Sequence, residues 1–213
     1  MPSDWTALRE RMVREQLRPR GIQDPRVLAA MGTVPRHEFV LEALLERAYD
    51  DTPLPIGHGQ TISQPYVVAL MAELAALEPE SRVLEIGTGC GYQAAVLAEL
   101  AREVVTIEIV DALAQDAAAR LAALGYTNVH VRRSDGHGGA PDRAPFDAVL
   151  VAAAPVDVPE ALLEQLAPKG RLVVPVGLAD QELRVYRRTT EGIAIEHVCP
   201  VSFVPMTGAT ILR

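Results

Sequence analysis

Three short stretches of this chain have the residue types and spacing to hold a ligand between them. The first is Glu85-Ile86-Gly87-Thr88-Gly89-Cys90-Gly91, which follows an apolar run and precedes a helical one. Glycines there permit a tight turn and let backbone N–H groups approach a ligand closely. The second is Glu108, which with Ile109 closes the next apolar run. A carboxylate at that point can accept hydrogen bonds from both hydroxyls of a ribose, or it can be a solvated charge at a strand end. The third is Ser134-Asp135-Gly136, after a further apolar run; Asp135 is placed to meet the amino group of a base, although Asp-Gly alone is also a common turn. Three such sites at three successive strand ends point to a nucleoside-bearing ligand. The loop reads G-x-G-x-G, whereas nicotinamide-binding loops read G-x-G-x-x-G. A nicotinamide-dependent oxidoreductase therefore stands as an alternative and not as the first reading.

Other chemistries are disfavoured by what the chain lacks. There is no G-x-S-x-G elbow around any of Ser3, Ser63, Ser81, Ser134 or Ser202, which argues against an α/β-hydrolase. His37, His58, His130, His137 and His197 lack the i, i+4 spacing of a metal-binding helix, and Cys90 and Cys199 form no C-x-x-C pair, so no metal is expected. His137 sits beside Asp135 and is either near the base or in a solvated loop. The formal charge of −8 opposes phosphate backbones, so nucleic acid is not an expected partner. No apolar run approaches the roughly 20 residues of a membrane helix, and the N-terminus lacks the order of a signal peptide. A cytoplasmic protein without membrane contact is expected, and a monomer, for want of an extra helix or arm.

The elements that must position these residues follow from periodicity. Trp5, Leu8, Met12 and Leu17 recur at helical spacing until Pro19 and Gly21. Asp24-Pro25 predicts a capped helix to about residue 31. Residues 50–64, rich in Pro, Gly and Thr, predict a loop, and Pro65 opens a helix. After Pro79 strands and helices alternate: strands over 82–86, 104–109, 129–133, 146–153 and 171–176, helices over 92–100, 112–124 and 158–166. A hairpin of 182–188 and 193–199 turns at Glu191-Gly192. Continuous apolar runs suit strands buried on both faces. The order predicts an α/β fold, a doubly wound, mostly parallel Rossmann-like sheet with an N-terminal helical extension, whose ligands sit beyond the carboxyl ends of the strands. One domain over 1–213 is expected, with a helical N-terminal region over residues 1–78, a ligand-binding core over 79–178 and a closing segment over 179–213.

The glycine loop resembles the signature of class I S-adenosylmethionine-dependent methyltransferases. A second resemblance covers nearly the whole chain. Ile56-Gly57-His58-Gly59-Gln60-Thr61-Ile62-Ser63-Gln64-Pro65 is similar to the hallmark of the protein-L-isoaspartate O-methyltransferases, as are Val34-Pro35-Arg36-His37-Glu38-Phe39-Val40 and Ala48-Tyr49-Asp50-Asp51. The segments 162–166, 170–177 and 203–207 match as well. This resemblance implies methylation of the α-carboxyl of L-isoaspartyl residues in damaged peptides and proteins, an ester that collapses to a succinimide on the way to repair. It implies S-adenosyl-L-methionine as cofactor, with S-adenosyl-L-homocysteine as product. Glu85, Ile86, Gly87, Thr88, Gly89, Gly91, Glu108, Ile109, Asp135 and Gly136 are its expected contacts. Ser63 maps onto the family's catalytic serine. Thr61, Ile62 and Gln64 map onto its substrate stretch, Val204 and Pro205 onto a carboxy-terminal wall, and His58 adjoins the substrate loop. Without the resemblance Ser63, two residues before Pro65, reads equally as a helix N-cap, and the two roles can coexist.

A carboxyl group with a pKa near 4 is ionised at neutral pH, so it needs orientation and not a general base. Tolerance of many flanking residues is expected if the peptide is held through its backbone. Two alternatives remain at this point: a relative that methylates ordinary aspartate in one partner peptide, and a cofactor-binding protein without turnover. The chain departs from the family pattern at Cys90, where serine is commoner, at Ala140, where tryptophan is frequent, and at Ser134, where glycine is frequent. A partly exposed, oxidation-sensitive thiol and looser packing around the base are expected from the first two.

Overall fold

A computed structural model of the chain describes residues 4–208. Its centre is a seven-stranded sheet: β3 (Arg82–Ile86), β4 (Glu103–Glu108), β5 (Val129–Arg133), β6 (Phe146–Val151), β7 (Leu166–Val176), β8 (Gln181–Thr189) and β9 (Gly192–Val201), in the order β5-β4-β3-β6-β7-β8-β9. The first five run parallel, and β8 and β9 are added antiparallel. The chain winds outward through β3, β4 and β5, then returns to place β6 on the other side of β3. Direction therefore reverses between β3 and β6, where an open sheet forms its binding crevice.

Alternation along the central strands sends neighbouring residues into two different cores. Val83, Ala148, Leu150 and Val173 pack on one face with the N-terminal helices. Leu84, Ile86, Val149, Val151, Leu172 and Val174 pack on the other. Both faces are buried, which is why these strands read as largely apolar runs; the buried polar pair Glu85 and Thr106 is the exception in β3 and β4.

The helices begin and end where the residue types dictate. In α1 (Trp5–Met12) the Asp4 carboxylate accepts from Ala7 N at 3.1 Å. The helix continues through a π-turn, Val13–Leu17, and a 3₁₀ turn, Arg18–Arg20, and stops at Gly21 with φ 95°. Asp24 caps α2 (Pro25–Thr33), accepting from Arg26 N at 2.8 Å. Then come α3 (Pro65–Ala75), α4 (Tyr92–Ala98), α5 (Asp111–Ala123) and α6 (Glu160–Glu164). Among the described residues no helix is long and apolar enough to cross a membrane.

Two expectations are corrected. Residues 50–64 are not wholly a loop: β1 (Leu54–Gly57) and β2 (Gln60–Ile62) pair antiparallel. The inward side chains are only Leu54, Ile56 and Ile62, too few for alternation to outweigh the surrounding Pro, Gly and Thr. The tip, His58-Gly59, has both φ values positive, 52° and 71°, as a two-residue hairpin turn requires. The last helix is also shorter than 158–166. Pro159 is its N-cap, and Leu166 already belongs to β7.

Candidate functional site

At the reversal between β3 and β6 lies a cleft floored by residues 86–90 and 107–110 and walled by Gly136, Ala152, Ala153, the 60–63 segment and the 204–207 segment. The glycine loop is bound down from below: Gly87 N and Thr88 N both donate to Ile107 O, at 2.8 and 3.2 Å. Gly91 is the N-cap of α4 with φ 91°, and a Cβ there would lie 3.1 Å from Leu121 Cδ1. Glycine is thus demanded twice, by conformation and by contact. At Gly136 the demand is steric alone: a Cβ would sit 2.2 Å from Ile86 Cγ2.

Glu108 is buried at the end of β4, and both carboxylate oxygens are engaged. Oε2 accepts from Gly89 N at 2.8 Å and Oε1 from Val110 N at 2.9 Å. The side chain therefore ties the glycine loop to the next strand end. Each oxygen retains a second lone pair, so further donors from a ligand can still be accepted.

Glu85 behaves differently from the expectation that it would meet the ligand. It is fully buried and lines no cleft. Burial pushes its pKa up to about 8, against the hydrogen bond donated by Thr106. Thr106 Oγ1 donates to Glu85 Oε2 at 2.6 Å and lies 2.6 Å from Thr88 Oγ1. Either threonine hydroxyl can be the donor of that second bond, so the Thr88 hydroxyl, which lines the cleft, is linked through Thr106 to Glu85. The acidic residue of the loop thus acts on the cleft through two hydroxyls.

Asp135 follows β5, but it is Gly136 beside it that lines the cleft. The Asp135 carboxylate accepts from His137 N at 2.9 Å, contacts His137 Nδ1 at 2.7 Å, and abuts Gly208. The 136–140 tract, where looser packing is expected from Ala140, is held by Gln165. That carboxamide accepts from Ala140 N and donates to Gly138 O, both at 2.8 Å, and Ala140 is buried. Cys90 is corrected as well. It is buried, not partly exposed, and burial raises its thiol pKa.

Two buried polar side chains escaped the sequence reading. Gln93, on α4, is buried and lines the cleft, and its side chain lies beside the Glu85 carboxyl, whose charged form it favours. Arg36 is wholly buried, donates Nε to Ala48 O at 2.8 Å and lies over the Tyr92 ring at 4.8 Å. Desolvation lowers its pKa. Its only signal was its place in the Val34-to-Val40 segment, because an arginine's burial cannot be read from local pattern.

A second cleft opens beside the first between α3, the segment joining β2 to α3 and residues 199–204. Thr61, Ser63, Ala152 and Val204 line both clefts and form their junction. Gln64 lines only the second and donates to Asp51 Oδ2 at 2.8 Å. Ile62 and Pro205 line only the first. Val204 and Pro205 are fixed by Ala154, whose N donates to Val204 O and whose O accepts from Met206 N, each at 2.8 Å. Ser63 is half-buried. The N-cap of α3 is Gln64, without a side-chain capping bond, so Ser63 does not cap the helix. Its hydroxyl has no partner among the described residues. His58, at the exposed hairpin tip, lines neither cleft.

The family model described as protein-L-isoaspartate(D-aspartate) O-methyltransferase matches residues 8–210. The chain belongs to this family. A protein-L-isoaspartate O-methyltransferase of Synechococcus sp. is 59% identical over 210 residues, covering 95% of this chain and 86% of the relative. One from Picosynechococcus sp. is 55% identical over 202 residues, covering 95% and 91%. A solved Plasmodium falciparum structure, described as a protein-L-isoaspartate O-methyltransferase in complex with S-adenosyl-L-homocysteine, superposes with a TM-score of 0.82 at 27% identity. That match covers 93% of this chain and 98% of the other. For an isoaspartate methyltransferase family member, a junction with hydroxyls and apolar groups but no titratable side chain is the feature to explain.

Proposed function

We propose that this protein transfers a methyl group from S-adenosyl-L-methionine to the α-carboxylate of L-isoaspartyl residues, the first step of repair through a succinimide. The observation that carries this reading is the junction itself. Two clefts, one floored by the glycine loop and one bounded by α3 and residues 199–204, meet at Thr61, Ser63, Ala152 and Val204. None of these four can act as a general base near neutral pH. A carboxylate acceptor, ionised already, is the nucleophile that needs none.

The first cleft suits the cofactor on its own features. Glu108 retains acceptor capacity at a strand end, the Thr88 hydroxyl and the Gln93 side chain line the same space, and Gly136 brings bare backbone to its wall. When bound, S-adenosyl-L-methionine supplies a sulfonium methyl open to in-line displacement. The protein's task is then to hold the carboxylate and keep water out. The free hydroxyl of Ser63 is the donor available to orient an oxygen of the incoming carboxylate, one contribution to a total of roughly 7–11 kcal/mol that holding both reactants in line can supply. Asp135 enters the reading through the turn it caps and Gly136, and Gln64 through the second cleft. Both clefts draw lining residues from the amino-terminal, central and carboxy-terminal regions of the chain, which supports one catalytic domain over 1–213.

The test is a pair of peptides identical but for Asp or isoAsp, incubated with S-adenosyl-L-methionine. Methylation of the isoAsp peptide alone is expected. Equal methylation of both, or of neither, overturns the reading, and preference for the Asp peptide establishes the ordinary-aspartate alternative instead.

A further inference from the structure

The second cleft is lined by one charged side chain, Arg20, and by no carboxylate. Arg20 closes the turn before Gly21 and reaches across to the start of α3. Its guanidinium carbon stands 3.5 Å from the centroid of the Tyr66 ring, and Nη1 meets Asp51 Oδ2 at 2.5 Å. Asp51 is itself shared: it also accepts from Gln64 Nε2 at 2.8 Å and from Tyr66 N at 3.3 Å. One face of the guanidinium is therefore pinned on an aromatic ring and one edge on a carboxylate whose charge is divided among three donors. A planar fork so fixed loses little freedom when it binds a further acceptor. Nε and Nη2 have no partner among the described residues. The field of Arg20 extends across the cleft to Cys199 on the opposite wall, where it favours the thiolate against burial.

Arg20 does not line the first cleft, whereas the carboxylate that receives the methyl must reach the junction at Ser63. We infer that Arg20 forms a subsite for a second carboxylate of the substrate peptide, supplied by an acidic side chain near the isoaspartyl residue or by the peptide's own C-terminus. This rests on the isoaspartyl reading above and refines its substrate class. Flanking residues are tolerated in general, but negative charge near the isoaspartyl residue is favoured and positive charge disfavoured. The side chain of Arg20 is 43% exposed, so the preference is moderate. For a pair of that exposure roughly two- to fivefold in affinity is expected.

Peptide affinity should be measured on the full chain saturated with S-adenosyl-L-homocysteine, by fluorescence anisotropy, so that turnover is not required. The probes are amidated isoaspartyl peptides carrying Glu, Gln or Lys at each of the two positions on either side, and the Gln peptide with a free C-terminus. In the unmodified protein a Glu peptide, or the free-terminus peptide, is expected to bind two- to fivefold tighter than the amidated Gln peptide, and the arm that shows the gain identifies the source. Arg20→Gln should abolish that ratio and Arg20→Lys should keep some of it. Unchanged S-adenosyl-L-homocysteine affinity in both variants certifies the fold. No charge preference in the unmodified protein, a preference that survives Arg20→Gln, or no measurable binding of any probe overturns the inference. Methylation of the Gln peptide over its Asp counterpart, measured alongside, reports on the isoaspartyl reading separately.

Discussion

Replacing Glu108 by Gln changes one atom and tests whether this residue holds the loop as well as the ligand. Both carboxylate oxygens accept backbone N–H groups, from Gly89 at 2.8 Å and Val110 at 2.9 Å. A carboxamide can satisfy only one of them. Its NH₂ must face the other N–H, donor against donor, in a place where Glu108 is buried. Loss of one hydrogen bond to a charged group costs about 1.5–3 kcal/mol. For a chain of this length that lowers Tm by roughly 2–4 °C per kcal/mol, or about 3–12 °C in all. This loss appears without any ligand. A further loss appears on binding, because a charged acceptor for the ribose hydroxyls is gone, and the same 1.5–3 kcal/mol amounts to roughly 10–150-fold in Kd. Scanning calorimetry of the ligand-free protein and titration calorimetry with S-adenosyl-L-homocysteine measure the two terms. A ligand-free Tm within about 1 °C of the unmodified protein would refute the clamp on the glycine loop, whatever happens to binding. Unchanged Kd would refute the proposed ribose contact.

Ser63→Ala should lower kcat/KM on an isoaspartyl peptide by roughly 10–150-fold, the value of a hydrogen bond to a charged acceptor. Tm should stay within about 1 °C, because Ser63 caps nothing; a large fall in Tm with intact kinetics would assign it the structural role. Glu85 gives a pH dependence. Burial holds its folded pKa at about 8, against an ordinary 4.5, so between those values the native state keeps a proton that the unfolded chain releases. Its stabilising contribution is full below about pH 4.5, declines as pH rises, and is lost through about pH 8. Urea unfolding of the unmodified protein and Glu85→Gln at pH 5, 6.5 and 8.5 should therefore show the difference shifting in favour of the variant as pH rises, and a pH-independent difference would contradict it.

Much of the architecture was legible because it rests on local rules. Three strand ends in order, each carrying glycine or a carboxylate, require only that apolar runs be strands and that the chain wind as parallel sheets do. Asp24-Pro25 announced α2, and Glu191-Gly192 announced the turn between β8 and β9. The 54–62 hairpin is illegible in the sequence because three inward side chains make too short a pattern. Glu85 reads as a ligand contact because a sequence shows that a residue lies near the end of a strand but not which way its side chain points.

The sequence by itself determined the element order, the glycine loop and, through the segment around Ser63, the family. Tertiary structure alone decided what those residues touch. The 60–63 and 204–207 segments lie far apart in the chain, and the second is held at the cleft because Ala154 hydrogen-bonds to both sides of Pro205. Glu85 is buried because alternation in β3 turns it inward, and its influence on the cleft passes through Thr106 from the neighbouring strand. Arg20 became a wall of a cleft only when α3 brought Tyr66 beneath it and the segment before β1 brought Asp51 beside it. Pairing across sheet and loop depends on contacts between residues distant in sequence, and no local pattern records which distant residue will be the neighbour.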